Sequence, residues 1–245
     1  MNAHPANPSP RPCGFGCPSL VRLLGLALVL AFASIASAET TTFSARGNEP
    51  FWHVDIDGHG LKFATLDGGS VTVSPVPEIK SQDGGRVYEA TAQGRPFSLT
   101  IRDQVCVDTM SGMPHPNTAV VRWGDETYSG CGGEPRELLH GEWQVESVGS
   151  KTVLTGSQPV LTFEPDGRVT GNASCNRFTG SYRLTGETLT FSDLALTRMA
   201  CEAALMTQEQ TLVRALESVT GFGIGTQDSL ILLSGDTPGI LAKRK

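Results

Sequence analysis

Residues 171–182 read GNASCNRFTGSY, and residues 197–201 read TRMAC. Each segment contributes one cysteine, Cys175 and Cys201, in a context rich in small and polar residues. A nucleophilic cysteine needs a base within hydrogen-bond reach, usually a histidine. The only histidine of the second half is His140, far upstream of both segments. We therefore interpret the two segments as a scaffold closed by a disulfide and not as an active site.

Turn residues surround this stretch. Asn176 and Gly180 belong to residue types that tolerate positive φ, so we expect them to bend the chain. Before them, residues 164–167 read EPDG, and after them Gly186-Glu187 separates two alternating segments. Both sequences have hairpin chemistry. The region therefore predicts a series of short antiparallel strands.

One helix is predicted after these strands, at about residues 207–219. Thr207 and Gln210 fit a capping box, in which the first residue caps the helix and the second reaches back to it. Gly221 is a plausible stop. The apolar residues of this segment fall on one helical face: Leu212, Val213, Leu216 and Val219.

The first half of the chain predicts strands throughout. Residues 51–56 (FWHVDI) and 97–101 (FSLTI) alternate between apolar and polar side chains, and Gly or Pro turns separate the strands. Residues 132–135 (GGEP) break any regular element and mark a boundary. We predict an α+β protein of mostly antiparallel β structure. It has two small barrel-like or sandwich-like domains, residues 39–135 and 136–245.

Residues 1–38 resemble a signal peptide. An apolar run at 23–35 ends in Ala36-Ser37-Ala38, a pattern that signal peptidase recognises, so we expect cleavage between Ala38 and Glu39. The run is shorter than the roughly 20 residues of a comfortable membrane span. The alternative is a retained anchor. A periplasmic or secreted product in the bacterial cell envelope is predicted, with no need for membrane association after cleavage.

The charge of the predicted mature chain argues against nucleic acid as a partner. Cleavage removes Arg11 and Arg22, leaving 17 basic against 25 acidic residues, a net charge of −8. An unknown protein or a small ligand is the expected partner, and no cofactor is predicted. The sequence does not determine the oligomeric state.

Four cysteines remain after cleavage: Cys106, Cys131, Cys175 and Cys201. Four cysteines allow three pairings, and sequential pairing is favoured because it gives each half its own bridge. Export to an oxidising compartment favours disulfides over free thiols. The alternative, a zinc site, usually requires a C-x2–4-C pair, which this part of the chain lacks.

The second half resembles the META domain (HslJ-like) family. The resemblance rests on the L-x-G-x-W pattern at 139–143, on the two segments quoted first, and on the helix after them. It implies a compact β-rich domain with one helix, a cell-envelope setting and a loose association with stress. It implies no catalytic residue. The residues that form its structural motif are Trp143, Asn176, Gly180, Tyr182 and Arg198.

The first half resembles a family of uncharacterised bacterial envelope proteins, many of them lipoproteins. Three segments carry this resemblance: residues 47–52 (GNEPFW), 106–111 (CVDTMS) and 130–132 (GCG). The chain lacks the lipid-bearing cysteine just after the apolar run, so it departs from the lipoprotein pattern.

One loop contains candidate metal ligands. Met110, Met113 and His115 place two thioethers and an imidazole within six residues, and soft sulfur ligands suit Cu(I). The alternative is a Gly- and Pro-rich loop without a metal, which we favour.

The sequence predicts an exported, non-catalytic protein, a stress-associated or binding accessory module. Periplasmic copper binding through Met110, Met113 and His115 is an alternative. A second alternative is inhibitor-like binding of a basic secreted protein such as lysozyme, because the mature chain is acidic. No phosphate loop, nucleophile elbow or H-E-x-x-H motif occurs, which lowers the expectation of an enzyme.

Overall fold

Two curled antiparallel sheets dominate the structure, a computed structural model that describes residues 43–245. The first half forms β1 (Phe43–Asn48), β2 (Phe51–Asp57), β3 (Gly60–Thr65), β4 (Ser70–Val73), β5 (Ile79–Gln82), β6 (Gly85–Ala92), β7 (Arg95–Arg102), β8 (Cys106–Val107), β9 (Pro114–His115), β10 (Asn117–Trp123) and β11 (Glu126–Gly132). The first sheet has the order β4-β3-β2-β1-β11-β10-β7-β6-β5, and β8 pairs with β9 in a separate hairpin.

The predicted alternation of the first half builds its core. Trp52, Val54 and Ile56 of β2 are buried, whereas His53 and Asp55 between them are exposed. Successive residues of a strand face opposite sides of the sheet, so one face of each strand can be apolar. The aromatic rings of the core pack around Phe63, whose centroid lies 5.1 Å from that of Tyr128.

The second half forms the second sheet and both helices. Its elements are α1 (Pro135–Leu139), β12 (Gly141–Val148), β13 (Lys151–Thr152), β14 (Val160–Phe163), β15 (Arg168–Asn172), β16 (Arg177–Leu184), β17 (Leu189–Leu196), α2 (Ala203–Glu217), β18 (Gly221–Ile224), β19 (Leu230–Ser234) and β20 (Thr237–Arg244). The order is β17-β16-β15-β14-β12-β20-β19-β18, with β13 paired to β12. The Leu189 amide donates to the Thr220 carbonyl, which draws the two sheet edges together. The predicted mostly antiparallel α+β fold is confirmed.

Helix α2 begins earlier and ends earlier than predicted. It starts at Ala203 with Glu202 at the cap position, and no side chain caps it. The capping box was therefore wrong, because the Thr207 hydroxyl donates to the Ala203 carbonyl inside the helix. The helix ends at Glu217, and the predicted stop, Gly221, instead opens β18. The apolar face was correct: Leu212 and Leu216 are fully buried.

The predicted bend is present at Asn176 but not at Gly180: residues 174–176 turn the chain between β15 and β16, and the Ala173 amide donates to the Asn176 carbonyl at 2.8 Å. The residue with positive φ is Ser174, at 106°. Gly180 lies inside β16 next to an irregularity in its pairing with β17, and a Cβ there would come within 2.9 Å of the Ser192 carbonyl oxygen. This glycine is needed for close approach of two strands and not for a turn. The hairpins at 164–167 and 185–188 are present as predicted.

Both disulfides have the predicted sequential pairing, Cys106–Cys131 and Cys175–Cys201. The first joins the β8–β9 hairpin to β11, and the second joins the segment between β15 and β16 to the residues just before α2. Each bridge therefore fastens an irregular segment to its own sheet. Within residues 43–245 no helix is both long and apolar enough to cross a membrane.

The two halves are in contact. Residues 43–245 belong to one compact unit, and Met113 from the β8–β9 hairpin is buried within the apolar core of the second half. Helix α1 begins at Pro135 and lies at the predicted boundary. The Arg244 guanidinium donates to the Leu138 and His140 carbonyls at the end of α1, which satisfies carbonyls that a helix end leaves unpaired.

Candidate functional site

The three segments that carry the resemblance of the first half come together in the fold. The Asn48 side-chain amide donates to the Asp108 carboxylate at 3.1 Å and to the Thr109 hydroxyl at 3.2 Å. The Trp52 indole N–H donates to the Ser129 carbonyl at 3.2 Å, next to Gly130. A Cβ at Gly130 would lie 2.1 Å from the Arg46 carbonyl oxygen, so only glycine fits there. Residues 47–52, 106–111 and 130–132 thus form one structural unit.

Asp108 organises the loop between β8 and β9. Its Oδ1 accepts hydrogen bonds from the amides of Met110 and Ser111 and from the Ser111 hydroxyl, while Oδ2 accepts the Asn48 amide. Burial raises the pKa of this carboxyl, but the hydrogen bonds from Ser111, Asn48 and Met110 outweigh burial and lower the pKa to about 2. Asp108 is therefore an ionised structural anchor whose oxygens are already occupied.

A cleft of about 760 Å³ lies next to this unit, and both halves line it. We call it the junction cleft; its lining includes Arg46, Met110, His115, Arg136, His140 and Glu187. Within residues 43–245 neither Arg46 nor Arg136 forms an ion pair. The Arg136 guanidinium lies 5.9 Å from the centroid of the Tyr182 ring, a weak cation–π contact. Both cations are therefore available to a ligand.

Two histidines add to the polarity of the junction cleft. His115 Nδ1 lies 2.9 Å from the Gly133 carbonyl oxygen. A carbonyl can only accept, so Nδ1 carries the hydrogen, and Nε2 holds the lone pair of the neutral ring. His140 Nε2 is buried and has no hydrogen-bond partner among the described residues. The cleft thus combines two arginines, two histidines and exposed carboxylates.

The candidate metal ligands are only partly brought together. Met110 is 70% exposed and lines the junction cleft with His115. Met113 is 5% exposed and packs in the core of the second half, so its sulfur does not face the cleft. Among the residues described, no three His, Cys, Asp or Glu side chains cluster as metal ligands. The copper hypothesis stays a prediction, with Met110 and His115 as its accessible donors.

The residues of the opening segments form a buried polar network centred on Asn176. The backbone N–H of Asn176 donates to Glu209 Oε2 at 2.6 Å, and the side-chain Nδ2 of Asn176 donates to Glu209 Oε1 at 3.1 Å. Asn176 Oδ1 accepts from the Met199 amide at 2.7 Å and the Thr197 hydroxyl at 2.8 Å. Asn176 and Glu209 are 2% and 5% exposed. The network joins the β15–β16 connection, the residues before α2 and α2 itself.

Sequence reasoning missed Glu209, although a signal was present. Glu209 lies three residues before Leu212 and seven before Leu216, so it shares the apolar face of α2. A carboxylate on a buried face needs hydrogen-bond partners. The helical period therefore indicated a buried glutamate but did not indicate its partner.

The other motif residues have separate structural contacts. The Trp143 indole donates to the Leu139 carbonyl at 2.7 Å, and the Tyr182 hydroxyl donates to the Glu164 carbonyl at 2.8 Å. Arg198 is exposed. The predicted cleavage residues Ala38 and Glu39 lie outside the described residues.

Comparison with known proteins finds a family match in the second half of the chain. Residues 136–244 match the model of the META domain. Heat shock protein HslJ of Escherichia coli (strain K12) is 34% identical over 67 residues, covering 27% of this chain and 48% of that protein, so the match spans about half the length of this relative. An NMR structure of a protein from Burkholderia xenovorans is 25% identical, with a TM-score of 0.39, covering 45% of this chain and 86% of its own. Another NMR structure is 29% identical, with a TM-score of 0.36, covering 45% and 94%. The predicted META, HslJ-like character of the C-terminal half is thus confirmed for residues 136–244.

Proposed function

We propose that this protein is an exported, non-catalytic accessory protein of the bacterial cell envelope that is associated with stress and binds a partner in the junction cleft. Export is supported by the two disulfides, because such bonds persist in oxidising compartments. The association with stress is supported by the similarity of the second half to a heat shock protein.

The observation that carries the binding role is the shared lining of the junction cleft. Arg46 comes from β1, His115 from the β8–β9 hairpin, Arg136 from α1 and Glu187 from the β16–β17 turn. Its volume of about 760 Å³ falls in the range of ligand sites, roughly 300–1,000 Å³. A ligand held there contacts both halves at once, with cations and carboxylates both within reach. We infer a partner that carries both charges, such as a polar segment of a protein.

The arrangement of the cleft favours binding over chemistry. Its serine, Ser111, donates its hydroxyl hydrogen to Asp108 and accepts the Met113 amide at 3.3 Å. A nucleophilic serine would instead donate to a base such as His115. Ser111 is therefore assigned to holding the loop.

Charge reversal in the cleft tests this function. In the bacterium that encodes the protein, a deletion strain is tested for growth under heat and envelope stress. It is complemented with wild type, with Arg46→Glu/Arg136→Glu, or with the control Arg177→Glu/Arg183→Glu, which changes two exposed arginines of β16. We expect wild type and control to restore growth and the cleft variant to fail, with all three proteins melting at similar temperatures.

Two results would contradict the proposal. A deletion strain as stress-tolerant as its parent removes the stress association. Full complementation by the cleft variant removes the junction cleft as the binding site. Export is checked separately by fractionation and by intact mass without reductant, where two hydrogens should be missing for each disulfide.

A further inference from the structure

A second concave site lies in the second half, between the β12–β13 hairpin and α2, and shares no lining residue with the junction cleft. We call it the α2 groove, and its apolar walls are formed by Val148, Val153, Leu154, Ala204, Thr207 and Thr211. The three α2 residues are spaced so that they share one face of the helix. Leu154 is 40% exposed in this groove, an apolar side chain left in contact with solvent.

The polar side chains that α2 contributes to the groove are already hydrogen-bonded within the protein. The Thr207 and Thr211 hydroxyls each donate at 2.8 Å to a carbonyl one turn earlier in α2, which leaves their methyl groups for the groove. Gln208 Oε1 accepts the Leu154 amide at 2.7 Å, and its Nε2 donates to the hydroxyls of Ser157 and Ser174. These bonds fix both walls, so a ligand meets a preformed apolar surface.

One charge at the groove has no partner. Of the five lysines in residues 43–245, four form ion pairs with carboxylates, and Lys151 is the exception. Lys151 is exposed and lines the α2 groove from the first position of β13. Lys151 thus places one unpaired ammonium group beside the apolar α2 groove of an acidic protein. This arrangement suits an apolar molecule with one negative charge.

The volume limits the size of that molecule. The groove holds about 290 Å³. This lies at the lower end of the range of ligand sites, roughly 300–1,000 Å³, which suits a single medium-length chain better than a two-chain lipid. We propose that the α2 groove binds a free single-chain fatty acid anion, with the chain along Val153 and Ala204 and the carboxylate at Lys151. This site is independent of the junction cleft.

The test is a titration of the full-length protein with sodium decanoate at low ionic strength, in which amide NMR chemical shifts are monitored. We expect shifts confined to residues 148–154 and 204–211, and about tenfold weaker binding of octanoate because two buried methylenes are lost. Lys151→Gln should weaken decanoate about three- to fivefold, as expected for an exposed ion pair, and leave decanol unchanged. Lys62→Gln is the matched control lysine in the other half.

A second variant blocks the groove without altering the core. Ala204→Phe fills the groove from an exposed position in the first turn of α2 and should abolish decanoate binding. Gln210→Phe places the same ring on an exposed α2 residue outside the groove and should bind as wild type does. The proposal is overturned if Ala204→Phe binds normally or if Lys151→Gln leaves decanoate affinity unchanged. The proposal is also overturned if the protein pellets with phosphatidylglycerol vesicles but shows no NMR response to free decanoate.

Discussion

Truncating Asn176 tests whether the buried network fastens α2 to the second sheet. Asn176→Ala removes the bond to the Glu209 carboxylate at 3.1 Å and the two bonds that Oδ1 accepts from Met199 and Thr197. It also removes a longer bond from Nδ2 to the Met199 carbonyl at 3.3 Å, which adds little at that distance. A hydrogen bond to a charged group contributes about 1.5–3 kcal/mol and a neutral one about 1 kcal/mol. The free energy of unfolding should therefore fall by about 4 kcal/mol. For a unit of this size the melting temperature should fall by roughly 8–16 °C.

The assay is urea and thermal denaturation followed by circular dichroism, with the disulfides intact. Thr179→Ala, an exposed change on β16 just after Asn176, is the control and should stay within about 0.5 kcal/mol of wild type. Asn176→Asp keeps the shape but cannot donate to Glu209 Oε1, so it should destabilise the protein at least as much at pH 7. A loss below about 1 kcal/mol for both Asn176 variants would refute the reasoning.

Four further predictions concern the loop, the helix and the two alternative functions. The pKa of Asp108 is lowered from 3.8 to about 2, so its stabilisation is present above pH 4 and is lost as the pH falls towards 2. Asp108→Asn should therefore cost about 2 kcal/mol at pH 7, and the difference from wild type in urea midpoints should vanish near pH 2. Thr207→Ala should change the free energy of unfolding by less than about 0.5 kcal/mol, because Thr207 lies inside α2 and does not cap it. A loss of about 1 kcal/mol, measured by urea denaturation, would instead indicate that Thr207 caps the helix. In a Cu(I) titration, a metal site in the loop predicts weaker binding by Met110→Ala, and equal binding by wild type and Met110→Ala rules the site out. If lysozyme is the partner, a complex should form in 20 mM salt and weaken as salt rises, and its absence from gel filtration at low salt ends that alternative.

Local patterns predicted most of the strands. The alternation of Trp52, Val54 and Ile56 and the apolar face of Leu212 and Leu216 were read correctly, because each depends on a period of two or 3.6 residues. The ends of α2 were not. Thr207 has the composition of a cap, but the four residues before it, 203–206 (AALM), are already helical. Alanine, leucine and methionine are strong helix formers, so helix propensity extends α2 beyond the position that the cap pattern predicts.

The candidate site was less predictable than the fold. Met110, Met113 and His115 look alike as potential ligands in the sequence, yet Met113 is buried in the other half and Met110 is exposed. The apolar period of a strand shows which of its own side chains are buried, but it does not show which core the side chains of a neighbouring loop will pack in. The bonds of Asn48 and Asn176 likewise cross 60 and 33 residues of chain, to Asp108 and Glu209.

The sequence by itself determined the β-rich architecture, the META character of residues 136–244, the sequential disulfides and the acidic balance of the chain. The META character rests on a resemblance to a known family, and the other three depend on local period, spacing or composition. The tertiary structure decided that Asn176 joins α2 to the second half through Glu209, and that the junction cleft combines Arg46 with Arg136. Those outcomes depend on which distant surfaces pack together. Packing is set by the combined burial and hydrogen bonding of the whole chain, which no single segment specifies.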